Sequence, residues 1–424
     1  MKNNVAKIKS LLHGVIPKKL VNSYIDLARL TCSLFFDQVV QNEKIKNFSH
    51  EDGHVFFGYY DVTPFGMDDK LLLAMKTPII GRAPNAEDHA EIGYYHIDKP
   101  DNFISLGETN TWCWQQGCRL QWYPQDNGDK IIYNCLVDGE YGAVIKDISN
   151  GNIVKKIKKP LYSVSRDGKW GVSLDFSRLQ RLRPGYGYGI LPDDSVSDLA
   201  PNYNGIELVD LETNESQQLF TLKDISDIEP HESMDGAEHY FNHIMFNPSG
   251  DNFLFFHLWM SKDSKRHSRL FVASRDGKNL RLLSNSGSVS HYNWIFDDKI
   301  ILYSLVSDKG RYMYAVFDSL SGNVEYFGKN VPKNDGHPTL LKNKKIFITD
   351  TYPNLCSQRN LLSYNLDKDE MKILARFDDS RDFTGEFRCD LHPRVSPDEK
   401  MICIDRLIDS KRVISIISFD ANGL

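Results

Sequence analysis

The sequence lacks the features that mark several classes of protein. Its seven cysteines include no CxxC pair, so we expect neither a disulfide framework nor a common zinc motif, and a reducing compartment is favoured. No apolar run approaches the roughly 18 residues of a membrane span, and the N-terminus does not resemble a signal peptide, so we predict a cytoplasmic protein without a membrane span. The net charge of −6 gives no sign of the basic surface that binds nucleic acid.

The chain instead shows two regions of different pattern. Apolar residues recur at three- and four-residue steps between Val21 and Val39, which predicts an amphipathic helix. We expect residues 1–50 to form a helical extension that either docks on the main domain or lies on a membrane surface. Residues 51–424 carry short apolar strands separated by Pro, Gly and Asp turns, and we expect them to form the main domain.

A hairpin of two apolar strands joined by a tight turn recurs in this second region. Its copies occupy residues 59–75, 119–136, 161–176, 243–259, 291–305, 337–350 and 392–407. Repeats of this length with four strands each are typical of β-propellers. The predicted fold class is therefore all-β, a seven-bladed β-propeller with a short N-terminal helical extension.

Two parts of the repeat pattern are irregular. The last copy is followed only by "RVISIISFD", one strand short of a blade, and we expect residues 54–58 ("HVFFG") to supply that strand and close the ring. An Arg-, Gly- and Pro-rich insertion at 178–205 interrupts the third blade. Loops of this length in compact domains are usually functional or disordered.

Propeller topology explains why histidines recur at the start of these hairpins. The start of each first strand and the end of each second strand lie on the same face of the disc, so these positions converge on one axial mouth. The positions so identified are Gln115, Gln116 and Arg119 in blade two, Tyr162 and Arg178 in blade three, His243 and His257 in blade four, His291 in blade five, His337 and Asp350 in blade six, and His392 and Arg406 in blade seven.

These histidines have two interpretations. Any one of them could staple neighbouring blades through a hydrogen bond. As a set, His243, His257, His291 and His337 favour a divalent transition metal, because converging imidazoles are typical ligands of such ions. Asp350 would then bind the metal directly or orient one of its ligands.

The insertion places three arginines, Arg178, Arg181 and Arg183, before "PGYGYG", which ends near Tyr188. They could belong to a solvated loop. They could also bring guanidinium groups to the rim of the mouth, where an anionic ligand would bind, since Arg holds carboxylates and sulfates in a bidentate manner.

The stretch "NHIMFNPSGDNFLFFHLW" with the later "SHYNW" resembles the oligogalacturonate lyases, seven-bladed propellers that cleave uronate oligomers with the help of a bound metal. "GYYDVTPF", "WCWQQGCRLQW" and "LYSVSRDG…LDFSRLQRLRPGYGYG" are more similar to the ulvan lyase type of propeller. The resemblance covers most of residues 54–407. It implies a polysaccharide lyase that cleaves a uronic-acid-containing poly- or oligosaccharide by β-elimination, with a catalytic or structural divalent ion (Zn, Mn or Ca).

Carried onto this chain, the resemblance implies that Arg178 neutralises the uronate carboxylate and that Tyr162 acts as base, acid or both. His89 and His243 are further catalytic candidates, and His243 could instead bind the metal. The expected substrate-binding residues are Gln116, Arg119, Arg183, Tyr188, His392 and Arg406, and the expected metal ligands are His257, His291 and His337. The paired histidines of blade six in the oligogalacturonate type are not reproduced, because only His337 stands there.

A non-catalytic propeller is the alternative. Such a protein would bind glycans or proteins in a polysaccharide biosynthesis or uptake system, and the Tyr162 and Arg178 pair would then have no chemical role. A hydrolase is a third possibility and would need paired carboxylates or a nucleophile. A peptidase-type propeller is disfavoured, because the sequence has no GxSxG motif and no α/β domain.

Overall fold

The computed structural model describes residues 45–78, 81–125, 128–306, 309–354, 357–380 and 382–421. Within them the chain forms seven four-stranded antiparallel sheets, which confirms the predicted all-β, seven-bladed β-propeller. No helix in these ranges is both long enough and apolar enough to cross a membrane. The helix predicted between Val21 and Val39 lies outside the described residues, so the division at residue 50 stays a prediction.

Each blade is built from four consecutive strands, except the last. Blade one contains β2 (His54–Phe56), β3 (Leu71–Thr77), β4 (Ala90–His96) and β5 (Phe103–Thr109), and blade two contains β6 (Gln121–Trp122), β7 (Lys130–Val137), β8 (Glu140–Asp147) and β9 (Ile153–Ile157). Blade three contains β10 (Ser163–Val164), β11 (Trp170–Ser173), β12 (Gly205–Asp210) and β13 (Ser216–Thr221), and blade four contains β14 (Glu238–Phe246), β15 (Asn252–Met260), β16 (Arg266–Ser274) and β17 (Arg281–Ser284). Blade five contains β18 (Val289–Trp294), β19 (Lys299–Val306), β20 (Arg311–Asp318) and β21 (Val324–Tyr326), and blade six contains β22 (Thr339–Leu340), β23 (Ile346–Asp350), β24 (Gln358–Asn365) and β25 (Glu370–Asp378).

The seventh blade joins the two ends of the described chain. It contains β26 (Arg394–Val395), β27 (Met401–Ile408) and β28 (Lys411–Ser418), and β1 (Ile45–Phe48) pairs antiparallel with β28 as its fourth strand. The sequence prediction that residues 54–58 close the ring is therefore wrong. Those residues contain β2, which pairs with β3 as the first strand of blade one, and the closing strand lies about ten residues earlier, inside the predicted extension.

The first strands of blades four and five are irregular where their histidines lie. The pairing of β14 with β15 shifts register between Asn242 and Met245, and the pairing of β18 with β19 shifts between Val289 and Tyr292. Each shift is a β-bulge, which bends the strand and re-aims a side chain. His243 in the first bulge has a φ of 49°, a left-handed conformation that is uncommon for residues other than glycine.

The segment after β2 runs along the propeller axis. Tyr59 and Tyr60 pack against histidines of blades four to seven, and Asp61 lies further along, in a buried ion pair with Arg119 of blade two. The hydroxyl of Tyr60 donates to the carbonyl oxygen of Tyr292 at 2.7 Å and accepts from the Tyr292 N–H at 3.1 Å. This segment therefore plugs the channel and separates its two mouths.

The insertion predicted within blade three lies between its second and third strands, β11 and β12. It begins with helix α1 (Phe176–Leu182), whose N-cap is Asp175; this carboxylate accepts from the Arg178 N–H at 2.9 Å, which satisfies one of the unpaired donors of the first turn. The other short helices in the described part of the chain are α2 (Leu222–Ser226) and 3-10 turns at Glu232–Met234 and Gly385–Phe387.

Candidate metal and acid–base centre

Four histidines from consecutive blades meet at one mouth of the channel. His243, His291, His337 and His392 surround the ring of Tyr59, at centroid distances of 5.2, 6.3, 5.9 and 5.0 Å. The rings of His291 and His337 are 4.1 Å apart, and those of His337 and His392 are 4.3 Å apart. We call this set the histidine mouth. The propeller thus brings together residues that lie up to 149 positions apart in the sequence (392 minus 243).

Hydrogen bonds fix the orientation of three of these imidazoles. The Nδ1 of His337 lies 2.8 Å from Asp350 Oδ1, that of His392 lies 2.8 Å from the carbonyl oxygen of Gly58, and that of His291 lies 3.0 Å from Asp335 Oδ1. Because a carbonyl and a carboxylate accept, each Nδ1 carries the proton, and each Nε2 keeps its lone pair.

A divalent metal ion fits this arrangement. The Nε2 atoms of His337 and His392 are buried and have no hydrogen-bond partner, and candidate ligand atoms of His337, Asp390 and His392 lie within 4.8 Å of one another. Histidine ligands of metals commonly donate their other ring nitrogen to a carboxylate or a carbonyl. The Asp350 carboxylate and the Gly58 carbonyl, which accept from Nδ1 of His337 and His392, satisfy that requirement behind the two imidazoles.

Two carboxylates stabilise this centre from behind. Asp350 also accepts from the backbone N–H groups of His337 at 2.8 Å and His392 at 3.2 Å, so it links blades six and seven. Asp390 accepts from Arg359 and Arg388, both at 2.7 Å. Burial alone would raise the pKa of Asp390, but the two guanidinium groups outweigh burial and hold that pKa far below its usual value.

A tyrosine with an unusual environment lies beside the histidines. The hydroxyl of Tyr186 is 2.5 Å from Arg388 Nη2, the guanidinium of Arg183 stacks 4.3 Å from the centre of its ring, and its ring lies 6.1 Å from that of Tyr59. Burial alone would raise the pKa of Tyr186, but Arg388 and Arg183 together lower it below its usual value. A neighbouring cation favours a phenolate, so Tyr186 is suited to accept a proton.

Glycines allow the insertion to place Tyr186 there. Gly185 has a φ of 92°, and a Cβ on it would lie 2.7 Å from the Glu386 side chain. A Cβ on Gly187 would lie 2.2 Å from the carbonyl oxygen of Phe176. Only glycine allows this close packing of the "PGYGYG" loop against α1 and the Gly385–Phe387 turn.

Tyr352 is the second tyrosine of this mouth. Its ring lies 6.1 Å from that of His337 and 6.3 Å from that of His291, and the guanidinium of Arg388 is 5.9 Å from its centre. Burial and the nearby Asp390 raise the pKa of Tyr352 well above its usual value. Tyr186 and Tyr352 therefore share Arg388, which donates to the hydroxyl of Tyr186 but lies over the ring of Tyr352.

Tyr162 and Gln116, two predicted site residues, lie next to His243 but deeper. The hydroxyl of Tyr162 accepts from Gln116 Nε2 at 2.6 Å and donates to Asn242 Oδ1 at 3.1 Å, and its side chain is fully buried. Burial raises the pKa of Tyr162 well above its usual value. Arg119 stacks on Tyr162 at 4.5 Å and is paired with Asp61 through two hydrogen bonds of 2.8 and 3.0 Å, so it does not present a free guanidinium to a substrate.

Arg178 does not lie in the mouth. A guanidinium has five N–H donors, and those of Arg178 bond the carbonyl oxygens of His239, Ser195, Asp198 and Leu199 and the hydroxyl of Ser195, at 2.7 to 3.0 Å. Only 1% of the residue is exposed. The predicted neutralisation of a uronate carboxylate by Arg178 is therefore corrected: its side chain fastens the insertion to blade four, because every donor is already used.

His257 also lies apart from the other predicted ligands. Its Nε2 is 2.9 Å from His239 Nδ1, and its Nδ1 accepts from Arg269 Nε at 3.0 Å. Both ring nitrogens are therefore occupied, and the predicted metal ligand is corrected to a structural residue. His392, predicted to bind substrate, takes its place among the converging imidazoles.

Three further predicted site residues lie away from the histidine mouth. His89 lies in a peripheral cavity of blade one, 3.8 Å from Glu108. Tyr188 stacks on Phe176 at 4.4 Å in the core and accepts from Asn134. Arg406 packs over the Phe377 ring and donates to Ser415, because alternation along β27 sends Asp405, and not Arg406, to the axis.

The sequence reasoning missed several residues of this centre. Tyr186 was present in the quoted "PGYGYG", and Arg388 and Asp390 shortly precede His392 in "FRCDLHP". Tyr352 follows Asp350 by two residues. The prediction was limited to the starts of first strands and the ends of second strands, whereas these four residues lie in loops that fold over the mouth.

No protein-family model and no curated protein matches this sequence. Solved structures are similar in fold. An oligogalacturonate lyase in complex with manganese has 14% identity and a TM-score of 0.64, over 89% of this chain and 93% of that one. An oligogalacturonate lyase from Vibrio parahaemolyticus has 15% identity and a TM-score of 0.64, over 91% and 96%. The β-propeller domain of the Trilobed protease from Pyrococcus furiosus has 12% identity and a TM-score of 0.50, over 88% and 98%.

Proposed function

We propose that this protein is a lyase that cleaves a uronic-acid-containing oligo- or polysaccharide by β-elimination at the histidine mouth. One observation carries the proposal: Tyr186, whose hydroxyl lies 2.5 Å from Arg388 Nη2 and whose ring is covered by the Arg183 guanidinium, lies at the same mouth as imidazoles whose Nε2 atoms have no partner. The fold similarity to oligogalacturonate lyases supports it. β-Elimination at a uronate needs positive charge for the carboxylate, a base and an acid, and these groups can supply each of them.

The arginines of the rim replace Arg178 in the proposed mechanism. Arg183 has a buried Nε without a hydrogen-bond partner, and the side chain of Arg388 remains 24% exposed. Both can donate to the substrate carboxylate, which makes the C5 proton more acidic. A divalent ion held by His291, His337 and His392, with Asp390 adjacent, would add positive charge for the same carboxylate.

Proton transfer then follows from the two tyrosines. The Tyr186 phenolate takes the C5 proton, the electron pair forms the C4–C5 double bond, and the bond from C4 to the glycosidic oxygen breaks. Tyr352 stays protonated because its pKa is raised, and it gives its proton to the departing oxygen. His243 has an Nδ1 without a partner and is the alternative base.

The test is a panel of uronate polymers and oligomers, read by the ultraviolet absorbance of the unsaturated uronate, with and without a chelator. Tyr186→Phe should lower the turnover by at least about 100-fold, the usual contribution of a general base. Tyr188→Phe is the matched control from the same loop and should keep the activity. Full activity of Tyr186→Phe would refute the role of Tyr186, and the absence of product from every substrate would refute the lyase and favour the non-catalytic, glycan-binding alternative.

We also propose a reducing compartment for the protein. The cysteines of the described residues, Cys113, Cys118, Cys135, Cys389 and Cys403, are free, as is common in cytosolic proteins. Recovery of the protein from a secreted or periplasmic fraction would contradict this location.

A further inference from the structure

The other mouth of the channel contains a cavity with no role in the proposed reaction. It has a volume of about 350 Å³ and lies among the turns that join the first and second strands of several blades. Residues from blades one to six line it, among them Asp61, Gln121, Arg166, Asn293 and Lys344. We call it the turn mouth. Its size is within the usual range of small-molecule sites.

Three polar side chains that line the turn mouth have no partner among the described residues. Gln121 is only 8% exposed, and its amide group makes no hydrogen bond there. Arg166 and Lys344 form neither a hydrogen bond nor an ion pair through their side chains in the same part of the chain. Gln121 lines the cavity, so its unpaired amide group is available to hydrogen-bond a molecule bound there.

The two cations of the turn mouth come from opposite sides of the ring. Arg166 lies in the turn of blade three, and Lys344 in the turn of blade six. Burial and the positive charge of Arg166 lower the pKa of Lys344. The two groups therefore repel each other across the cavity, and an anion between them would relieve that repulsion.

Carboxylates near Lys344 offset this charge in part, but from outside the lining of the cavity. Asp61 is held by Arg119 in a bidentate pair. Asp297 accepts from the Ser249 N–H at 2.7 Å, and Glu399 accepts from the backbone N–H of Lys342. Asp297 and Glu399 are within electrostatic range of Lys344 but do not line the cavity, so its lining carries a positive excess.

We propose that the turn mouth binds a small polar molecule through a carboxylate, sulfate or phosphate group. Arg166 and Lys344 hold the anionic group between them, and Gln121 donates to or accepts from the body of the molecule. The axial plug of Tyr59, Tyr60 and Asp61 separates this site from the histidine mouth, so binding here does not depend on the proposed lyase reaction.

The test is calorimetric binding of four probes to the full chain: galacturonate, inorganic sulfate, inorganic phosphate and neutral galactose. We expect at least one anionic probe to bind about 10-fold or more tightly than galactose, and the tightest probe identifies the anionic group. The Arg166→Ala/Lys344→Ala variant should lose that preference. Gln121→Ala should weaken the binding of galacturonate more than that of sulfate.

The matched control is Lys265→Ala/Lys278→Ala, which removes the same charge from exposed lysines of blade four. It should bind the probes as the unmodified protein does. Thermal unfolding of each variant confirms that it is folded. The proposal is overturned if no anion binds more tightly than galactose, or if the two double variants lose affinity equally, since the effect would then be general charge and not a site.

Discussion

Two groups of buried histidines in this propeller differ in the hydrogen bonds of their ring nitrogens. In the histidine mouth, His337 and His392 each donate through Nδ1 and leave Nε2 without a partner. In blade four, His239 and His257 bond each other, and Arg269 donates to His257. The same residue type is therefore a candidate ligand in one place and a structural link in the other. The difference lies in the partner of the second ring nitrogen.

The two arginines of the insertion repeat this contrast. Arg178 uses all five donors on the backbone and side chain of the insertion and blade four. Arg183, five residues later, stacks on Tyr186 and has a buried Nε without a partner. A guanidinium with no donor left cannot bind a substrate carboxylate, whereas one with an unpaired donor can.

The largest expected effect is on metal affinity and comes from removing the two imidazoles whose Nε2 atoms have no partner. The His337→Ala/His392→Ala variant should lose affinity for Mn²⁺ by about 1,000-fold or more, because each ligand and its orienting partner typically contribute 10- to 100-fold. Calorimetric titration of the metal measures this. His239→Ala/His257→Ala is the control pair and should bind the metal unchanged; an equal loss in both would contradict the assignment of the site to the histidine mouth.

The pH dependence of the free energy of unfolding should report on the blade-four histidines. Burial, with the charge of Arg269, lowers the pKa of His239 from 6.5 to about 4. Below pH 6.5 the unfolded chain binds a proton at this residue and the folded chain does not, so the free energy of unfolding falls as the pH drops toward 4, by about 3 kcal/mol. Urea unfolding across this range should show a smaller decline for His239→Gln; parallel curves would refute the prediction.

Breaking the blade-four link should affect stability but not metal binding. His257→Leu leaves Arg269 Nε and His239 Nδ1 without their partner, which should lower the free energy of unfolding by about 2 kcal/mol. Chemical denaturation measures the loss, and Mn²⁺ titration of the same variant should be unchanged. A large loss of metal affinity would mean that His257 contributes to the metal site after all.

The smallest expected effect on metal affinity comes from Asp350, which orients the His337 imidazole. Asp350→Asn keeps an oxygen that can accept from His337 Nδ1 but removes the charge, so we expect an approximately 10-fold loss of Mn²⁺ affinity. Asp88→Asn is the control, a largely buried carboxylate of blade one that pairs with Arg82 away from the histidine mouth. If Asp350→Asn binds the metal as tightly as Asp88→Asn does, Asp350 has no orienting role.

Much of the fold could be predicted because it depends on sequence patterns within short segments. The hairpins have apolar strands and turn residues at a regular spacing, and six of the seven became the inner pair of a blade. The copy at 59–75 did not, because the first strand of blade one is β2 (His54–Phe56), which precedes it. The closing strand could not be placed, since both "IKNF" (45–48) and "HVFFG" (54–58) are short and apolar enough for an edge. Only pairing with β28 distinguishes them, and that partner lies more than 360 residues away.

The candidate site was predicted in outline, through topology. Convergence of His243, His291, His337 and His392 follows from the position of each at the start of a first strand. The failures at His257 and Arg406 have one cause: the position along a strand was predicted, but not the direction of the side chain or the partners it finds. Arg178 failed for another reason, because it lies in α1 and not at the end of β11.

By itself, the amino-acid sequence determined the number of blades, the location of the insertion and the histidines that reach the axis, because alternating apolar residues and turn residues act over short distances. The tertiary structure alone decided which polar groups remain free to act. That outcome depends on hydrogen bonds between residues distant in the chain: Gly58 behind His392, Arg269 against His257, and the carbonyl groups around Arg178.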